Sequence, residues 1–257
     1  MKKATILKIL CSSVLIINTI SLNTYASDSL SNSIKKLENA GIDESRITQI
    51  EEAFKRELEE SDKYRSNSET IPLETIADEI IEDLELYERD PSEKEIVSKQ
   101  VKTRSIWDLV APGDIVIDHT MAQIGNTNAY LGHAAIVSEN KNYVWEILGY
   151  GHVVEKNSTW NYYNNNTSVQ SWNYVPSVYT DTTLLNKVAT SPSSYKGKSY
   201  GLTNSKTTSD KFYCSKLVWR AWKDVAGLDL DNDGGYSVYP LDIYWDSEVQ
   251  PYFQQNM

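Results

Sequence analysis

Near Val101 the chain changes its hydrophobic period, and this change restricts the fold more than any other feature. Before it, apolar residues recur at helical spacing; after it, they come in short runs divided by turn residues. Ile34, Leu37 and Ile42 begin one helical stripe, and Ile47, Ile50, Phe54 and Leu58 form a second. Gly41 breaks the two, with Asp43 or Ser45 as the cap of the second helix. Ile76, Ile80, Ile81 and Leu84 make a third stripe that stops before Asp90-Pro91. Beyond 101, Pro112-Gly113-Asp114 signals a turn, and strands are expected at 115–117, 132–137, 143–148 and 152–154. Asn140-Lys141-Asn142 and Gly149-Tyr150-Gly151 are the turns between the last three, so an antiparallel meander is expected. The Asn/Tyr-rich stretch from 160 to 174 has no period and reads as a loop, and Leu184, Leu185 and Val188 suggest a short helix. The fold class is therefore α+β: a helical arm over 27–100, then a sheet domain over 101–257.

Charge follows the same division. Residues 28–100 carry 21 acidic and 10 basic side chains, residues 101–257 carry 15 and 12, and all seven Trp lie in the second segment. The arm's acidic run reads as a solvated face, and the arm itself as a spacer, an inhibitory pro-segment or an interaction module. A net charge of −11 excludes nucleic acid as a partner class, because phosphate binding needs a basic footprint. At the start, Lys2, Lys3 and Lys8, an apolar stretch from Ile6 to Leu22, and Thr24-Tyr25-Ala26 describe a secretory signal peptide over 1–26, cut near Ala26. A retained anchor is the competing reading, which Ser12, Ser13, Asn18 and Thr19 disfavour by interrupting the apolar run. A secreted or cell-surface bacterial protein with no stable membrane span is expected.

Signal removal would leave Cys214 as the only cysteine. A lone thiol in an exported protein is either inert through burial or in use. Cys214, Leu217, Val218, Ala221, Trp222 and Val225 recur as one helical stripe, with Ser209-Asp210 as the expected N-cap and Gly227 as the stop. The thiol thus falls in or near the first turn, where unpaired N–H groups and the helix dipole favour a thiolate. The candidate bases are His119, His133 and His152. His133 starts a strand among small residues, which suits either a reachable base or a satisfied structural imidazole. Glu146 is an acid in the next apolar strand and can meet His133 across the hairpin, as an orienting group or as a plain ion pair.

The blocks Pro112-Gly113-Asp114-Ile115-Val116, Gly132-His133-Ala134-Ala135-Ile136-Val137, Tyr143-Val144-Trp145-Glu146-Ile147 and Phe212-Tyr213-Cys214-Ser215-Lys216-Leu217-Val218-Trp219 resemble the permuted papain-like hydrolases. These are the YiiX/YaeF-type relatives of the NlpC cell-wall hydrolases, in which the His precedes the Cys. Asp229-Leu230-Asp231 and Tyr239-Pro240-Leu241-Asp242-Ile243 resemble that branch's tail. The likeness covers roughly residues 105–250 and leaves the arm unexplained. It implies an antiparallel sheet or barrel with a packed catalytic helix, Cys214 as nucleophile, His133 as base and Glu146 as orienter. It also implies an oxyanion or substrate role for a tyrosine upstream of the Cys, for which Tyr200 and Tyr213 are the candidates. The 156–180 segment departs from the family pattern.

No cofactor or metal is expected. Asp229, Asp231, Asp233 and Gly234 reproduce half of a calcium loop, but Pro240 stands where its bidentate Glu belongs. One Cys and three scattered His lack zinc-ligand spacing. The expected function is an exported cysteine amidase or peptidase acting through an acyl-thioester, with a peptidoglycan stem peptide as the expected substrate. An acyltransferase or lipid-amide hydrolase on the same scaffold, and a non-catalytic binding module with a buried Cys214, are the alternatives.

Overall fold

The computed structural model describes residues 27–63, 72–82, 93–96, 109–119, 123–124, 127–128, 132–159 and 170–255. The signal-peptide expectation for 1–26 therefore lies outside the described residues, as do Leu84 and Asp90-Pro91. The chain divides into two compact units, residues 1–65 with 72–81, and residues 66–71 with 82–257.

The first unit is helical: α1 over 27–39, α2 over Glu44–Lys63 and α3 over Leu73–Glu82. The apolar stripes supply its core, with Leu37, Ile42, Ile47, Ile50, Phe54, Ile76 and Ile80 all buried. Gly41 takes a positive φ of 84° in the connection, and Asp43 Oδ1 accepts the Arg46 N–H at 3.0 Å to cap α2. Ser29 Oγ donates to Glu74 at 2.7 Å, and Lys36 pairs with Asp78, so α1 and α3 are also joined by polar contacts.

The second unit is α+β, built on an open six-stranded antiparallel sheet of order β6-β5-β4-β1-β7-β8. Its strands are β1 (Ile115–Asp118), β4 (His133–Val137), β5 (Tyr143–Glu146), β6 (Glu155–Ser158), β7 (Gln170–Tyr174) and β8 (Gln250–Gln255). A separate ribbon pairs β2 (Gln123–Ile124) with β3 (Thr127–Asn128). The meander expected from the turns is present as β1, β4, β5 and β6. Helix α4 (Thr182–Thr190) packs on α5 (Cys214–Ala226), α5 packs on β4, and α6 (Pro240–Trp245) touches β1 and α5.

Three expectations need correction. The expected loop at 160–174 contains β7, a central strand between β1 and β8. Its residues are all buried, and Gln170, Ser171 and Asn173 put polar groups on both faces beside Trp172; Asn173 Nδ2 donates to Ile115 O at 3.2 Å and to Ser171 Oγ at 3.0 Å. Residues 152–154 contribute only a bridge from Val153 to Ser199, and the strand begins at Glu155 instead. The Cys helix starts at Cys214 with Tyr213 as N-cap rather than at Ser209-Asp210, while Gly227 ends it in the left-handed conformation, φ 73°.

Register decides what shares a face. Val116, Ala135 and Trp172 align across the three central strands and join Val110, Val137, Val144, Tyr174 and Tyr252 in one buried cluster. One pleat further along the same face, Asp118, His133 and Gln170 align, all of them buried. The face is thus apolar at one end and polar at the other.

Candidate active site

His133 opens β4 immediately after Gly132, whose φ is 76°. A Cβ at Gly132 would come within 2.7 Å of the Asp118 carbonyl oxygen, so only glycine lets β4 enter the sheet beside β1 at this point. Glu146 ends β5, and Ile136 and Val137 pair with Trp145 and Val144. Continuing that register sets Glu146 across from Ala135, on the face that carries His133. The imidazole Nε2–H donates to Glu146 Oε2 at 2.9 Å, with both residues buried.

Cys214 is the first residue of α5 and is 9% exposed. The His133 ring also shares a hydrogen bond with the Cys214 sulfur; with Nε2 committed to Glu146, Nδ1 is the nitrogen left for it. The Ala134 N–H also bonds the sulfur, and Ser215 Oγ lies 4.0 Å from it. Burial alone would drive the His133 imidazole down, but the thiolate's charge and hydrogen bond, followed by those of Glu146, lift it to about 10. Burial likewise pushes the Cys214 thiol up, and the His133 charge and hydrogen bond, with the Ala134 N–H, overcome it and bring the thiol below its ordinary range. The arrangement favours a thiolate–imidazolium pair.

The residues on either side of the cysteine close on a single residue, Val238. The Val238 N–H donates to Tyr213 Oη at 3.2 Å, and Ser215 Oγ donates to Val238 O at 2.6 Å. Tyr213 therefore has its hydroxyl engaged by backbone. Tyr200 bridges Phe212, two residues before the cysteine, and stacks edge-on against Tyr150 at 4.7 Å.

The other histidines lie elsewhere. His119 Nε2 bonds Ser171 Oγ at 2.8 Å, its ring meets Tyr244 edge-on at 4.5 Å, and burial pushes its pKa down to about 3. His152 is half-buried in the turn after Gly149. Asp118 and Gln170, in the buried row beside His133, were not among the residues expected at the site. An acid closing the short apolar run Ile115-Val116-Ile117 was a usable signal for Asp118; Gln170 carried none.

For a cation, carboxylate oxygens of Asp231, Asp233 and Asp242 lie within 4.8 Å of one another. Asp229, the first residue of the calcium-like pattern, accepts from Trp219 Nε1 at 2.7 Å and from Lys223 Nζ at 2.6 Å. Lys206 forms an ion pair with Asp231, supplying a positive charge within the cluster.

No family model matches the chain. A segment of 30 residues is 57% identical to the uncharacterized protein YycO of Bacillus subtilis (strain 168), and the match covers 12% of each chain. Among solved structures, the metalloprotein YiiX of Escherichia coli O157:H7 is similar over 56% of this chain and 97% of its own, with 17% identity and a TM-score of 0.46. Among the described residues, no helix is long and apolar enough to cross a membrane.

Proposed function

We propose that the protein is a cysteine hydrolase of the permuted papain-like type, exported and acting on an amide bond. The observation that carries this is the hydrogen-bonded series Cys214–His133–Glu146, buried as a unit, with the imidazole raised and the thiol lowered. Burial alone fits an inert cysteine; an imidazole bonded to the sulfur and held from behind by a carboxylate fits a nucleophile and its base.

In this reading the Cys214 thiolate attacks the carbonyl carbon, and the carbonyl electron pair moves to oxygen. The first-turn N–H groups of α5 face the developing negative charge. His133 gives its proton to the leaving nitrogen, the C–N bond breaks, and an acyl-thioester remains on Cys214. The neutral imidazole then takes a proton from water, hydroxide adds to the thioester carbonyl, and collapse expels the thiolate and releases the acid. Glu146 holds the ring in place and stabilises its charged form. Tyr200 and Tyr213 are proposed to line the substrate side, Tyr213 by fixing the chain rather than through its engaged hydroxyl. The resemblance to NlpC-type relatives points to peptidoglycan stem peptides.

Incubation with muropeptides and with N-acyl lipid amides, followed by mass spectrometry, tests the reading. Wild-type protein should release a free acid and an amine from the muropeptides, and Cys214→Ala should release neither while keeping its circular dichroism. Undiminished hydrolysis by that variant would sink the proposal. Transfer of the acyl group to an added amine, or cleavage of the lipid amides alone, would replace the substrate assignment.

A further inference from the structure

Lys216 follows Cys214 by two residues and has no exposed surface. Lysines are seldom buried so completely without a carboxylate against them. Here the ammonium group donates to three neutral oxygens: Ser205 O at 2.8 Å, Lys211 O at 2.8 Å and Thr208 Oγ1 at 3.1 Å. The rings of Phe212 and Tyr213 stand 5.1 and 5.9 Å from it, giving two cation–π contacts. Burial, and then the charge of Arg220 on the same helix, push the amine down to about 7, against an opposing pull from Asp210.

These bonds all run backwards along the chain. Lys216 is the third residue of α5, and it reaches past the N-cap to a loop at 205–211. Arg220, one turn further along the helix, grips the same loop through Thr207 O at 2.7 Å. Lys206, within the loop, pairs with Asp231.

The direction of these bonds has a chemical meaning. A helix usually starts with a Ser, Thr, Asp or Asn whose oxygen accepts a first-turn N–H. Tyr213 makes no such side-chain bond, and Leu217 is the first residue whose N–H bonds inside the helix, to Tyr213 O at 3.1 Å. A capping oxygen would compete with an anion for the amides of Cys214, Ser215 and Lys216. Lys216 instead secures the helix start through carbonyls of the preceding loop and takes none of those amides.

We propose that Lys216 is a positioning residue for the Cys214 thiolate, anchoring the 205–211 loop to the first turn of α5 so that the turn stays rigid while its N–H groups stay available to negative charge. This rests on the cysteine-hydrolase reading above. Lys216→Met keeps most of the apolar stem and removes both the charge and the anchor. Thr208→Val removes one acceptor from the loop side and leaves the helix untouched.

The test uses the full chain and follows iodoacetamide alkylation of Cys214 against pH, read by peptide mass spectrometry, with melting temperature measured alongside. Lys216→Met should raise the midpoint of the thiol titration by about one pH unit and slow alkylation roughly tenfold at pH values below the wild-type midpoint, because the thiolate fraction there falls tenfold as the midpoint climbs that far. Its melting temperature should stay near that of the wild type, since a buried, unneutralised ammonium is itself costly. Thr208→Val should shift the midpoint in the same direction by less. Wild-type midpoint and rate in a folded Lys216→Met protein would overturn the proposal. If Lys216→Met fails to fold, an unmoved midpoint in Thr208→Val overturns it instead. A midpoint in the ordinary thiol range that His133→Asn does not move would reject the hydrolase reading itself, whatever Lys216 does.

Discussion

Cys214 and His133 hold one proton between them, so the lowered thiol and the raised imidazole describe a single equilibrium from its two ends. The pH dependence has a definite sign. His133 is raised, so its stabilising contribution is complete below about 6.5, the ordinary imidazole value, and is lost as pH climbs through about 10. Cys214 is lowered, so its contribution is present above the ordinary thiol range and is lost as pH falls through the depressed value. In the hydrolase reading, turnover should therefore begin to rise below the pH at which a free thiol ionises and fall again near pH 10; a midpoint at the free-thiol value would contradict the pair. Glu146→Gln removes a hydrogen-bonded charge from the ring, so the imidazole should drop, the thiol should rise, and turnover should fall on the order of a hundredfold. Helix period made Cys214 a candidate, and strand pattern offered His133 and Glu146 either as its partners or as a structural pair. What they could not do is rank the three histidines, because the ranking depends on burial and partners: His119 is held neutral against Ser171, while His133 has a sulfur on one side and a carboxylate on the other.

At the level of elements, the meander and the Cys helix were legible because their apolar residues repeat with the period of the structure they form. β7 was not, because its buried positions include Gln170, Ser171 and Asn173, and the bonds of Asn173 to Ile115 and Ser171 need a sheet that sequence cannot assemble. The start of α5 was misplaced for a related reason: Tyr213 holds the N-cap position without a side-chain cap bond, and the groups that secure the helix lie in a loop and at Val238. Gly132 is where element geometry and chemistry meet. Gly132→Ala brings a Cβ against the Asp118 carbonyl and strains a positive φ, which should cost about 1–3 kcal/mol. Because β4 would have to shift to make room, turnover should fall more than stability alone accounts for. Denaturant unfolding together with kinetics at a temperature where the variant is fully folded would show both; unchanged stability would rule out the close approach.

Across the whole molecule, the helical unit and the sheet unit each have their own buried residues. Two calorimetric transitions are expected, with the smaller helical unit melting first because it has less surface to bury. Ile50→Val should weaken the first transition by about 0.5–1.5 kcal/mol and leave the second in place. One transition that moves as a whole would show the units to be a single cooperative block. The sheet also has an order of completion. β8, at Gln250–Gln255, pairs with β7, and Tyr252 both enters the apolar cluster and donates its hydroxyl to Asp114 at 2.9 Å, beside the turn that launches β1. On a ribosome, His133, Glu146 and Cys214 all emerge before that strand exists. The nascent chain therefore holds all three side chains before β7 has gained its β8 partner and Asp114 its Tyr252 hydroxyl, so the apolar cluster of the sheet unit is completed by residues made after the cysteine.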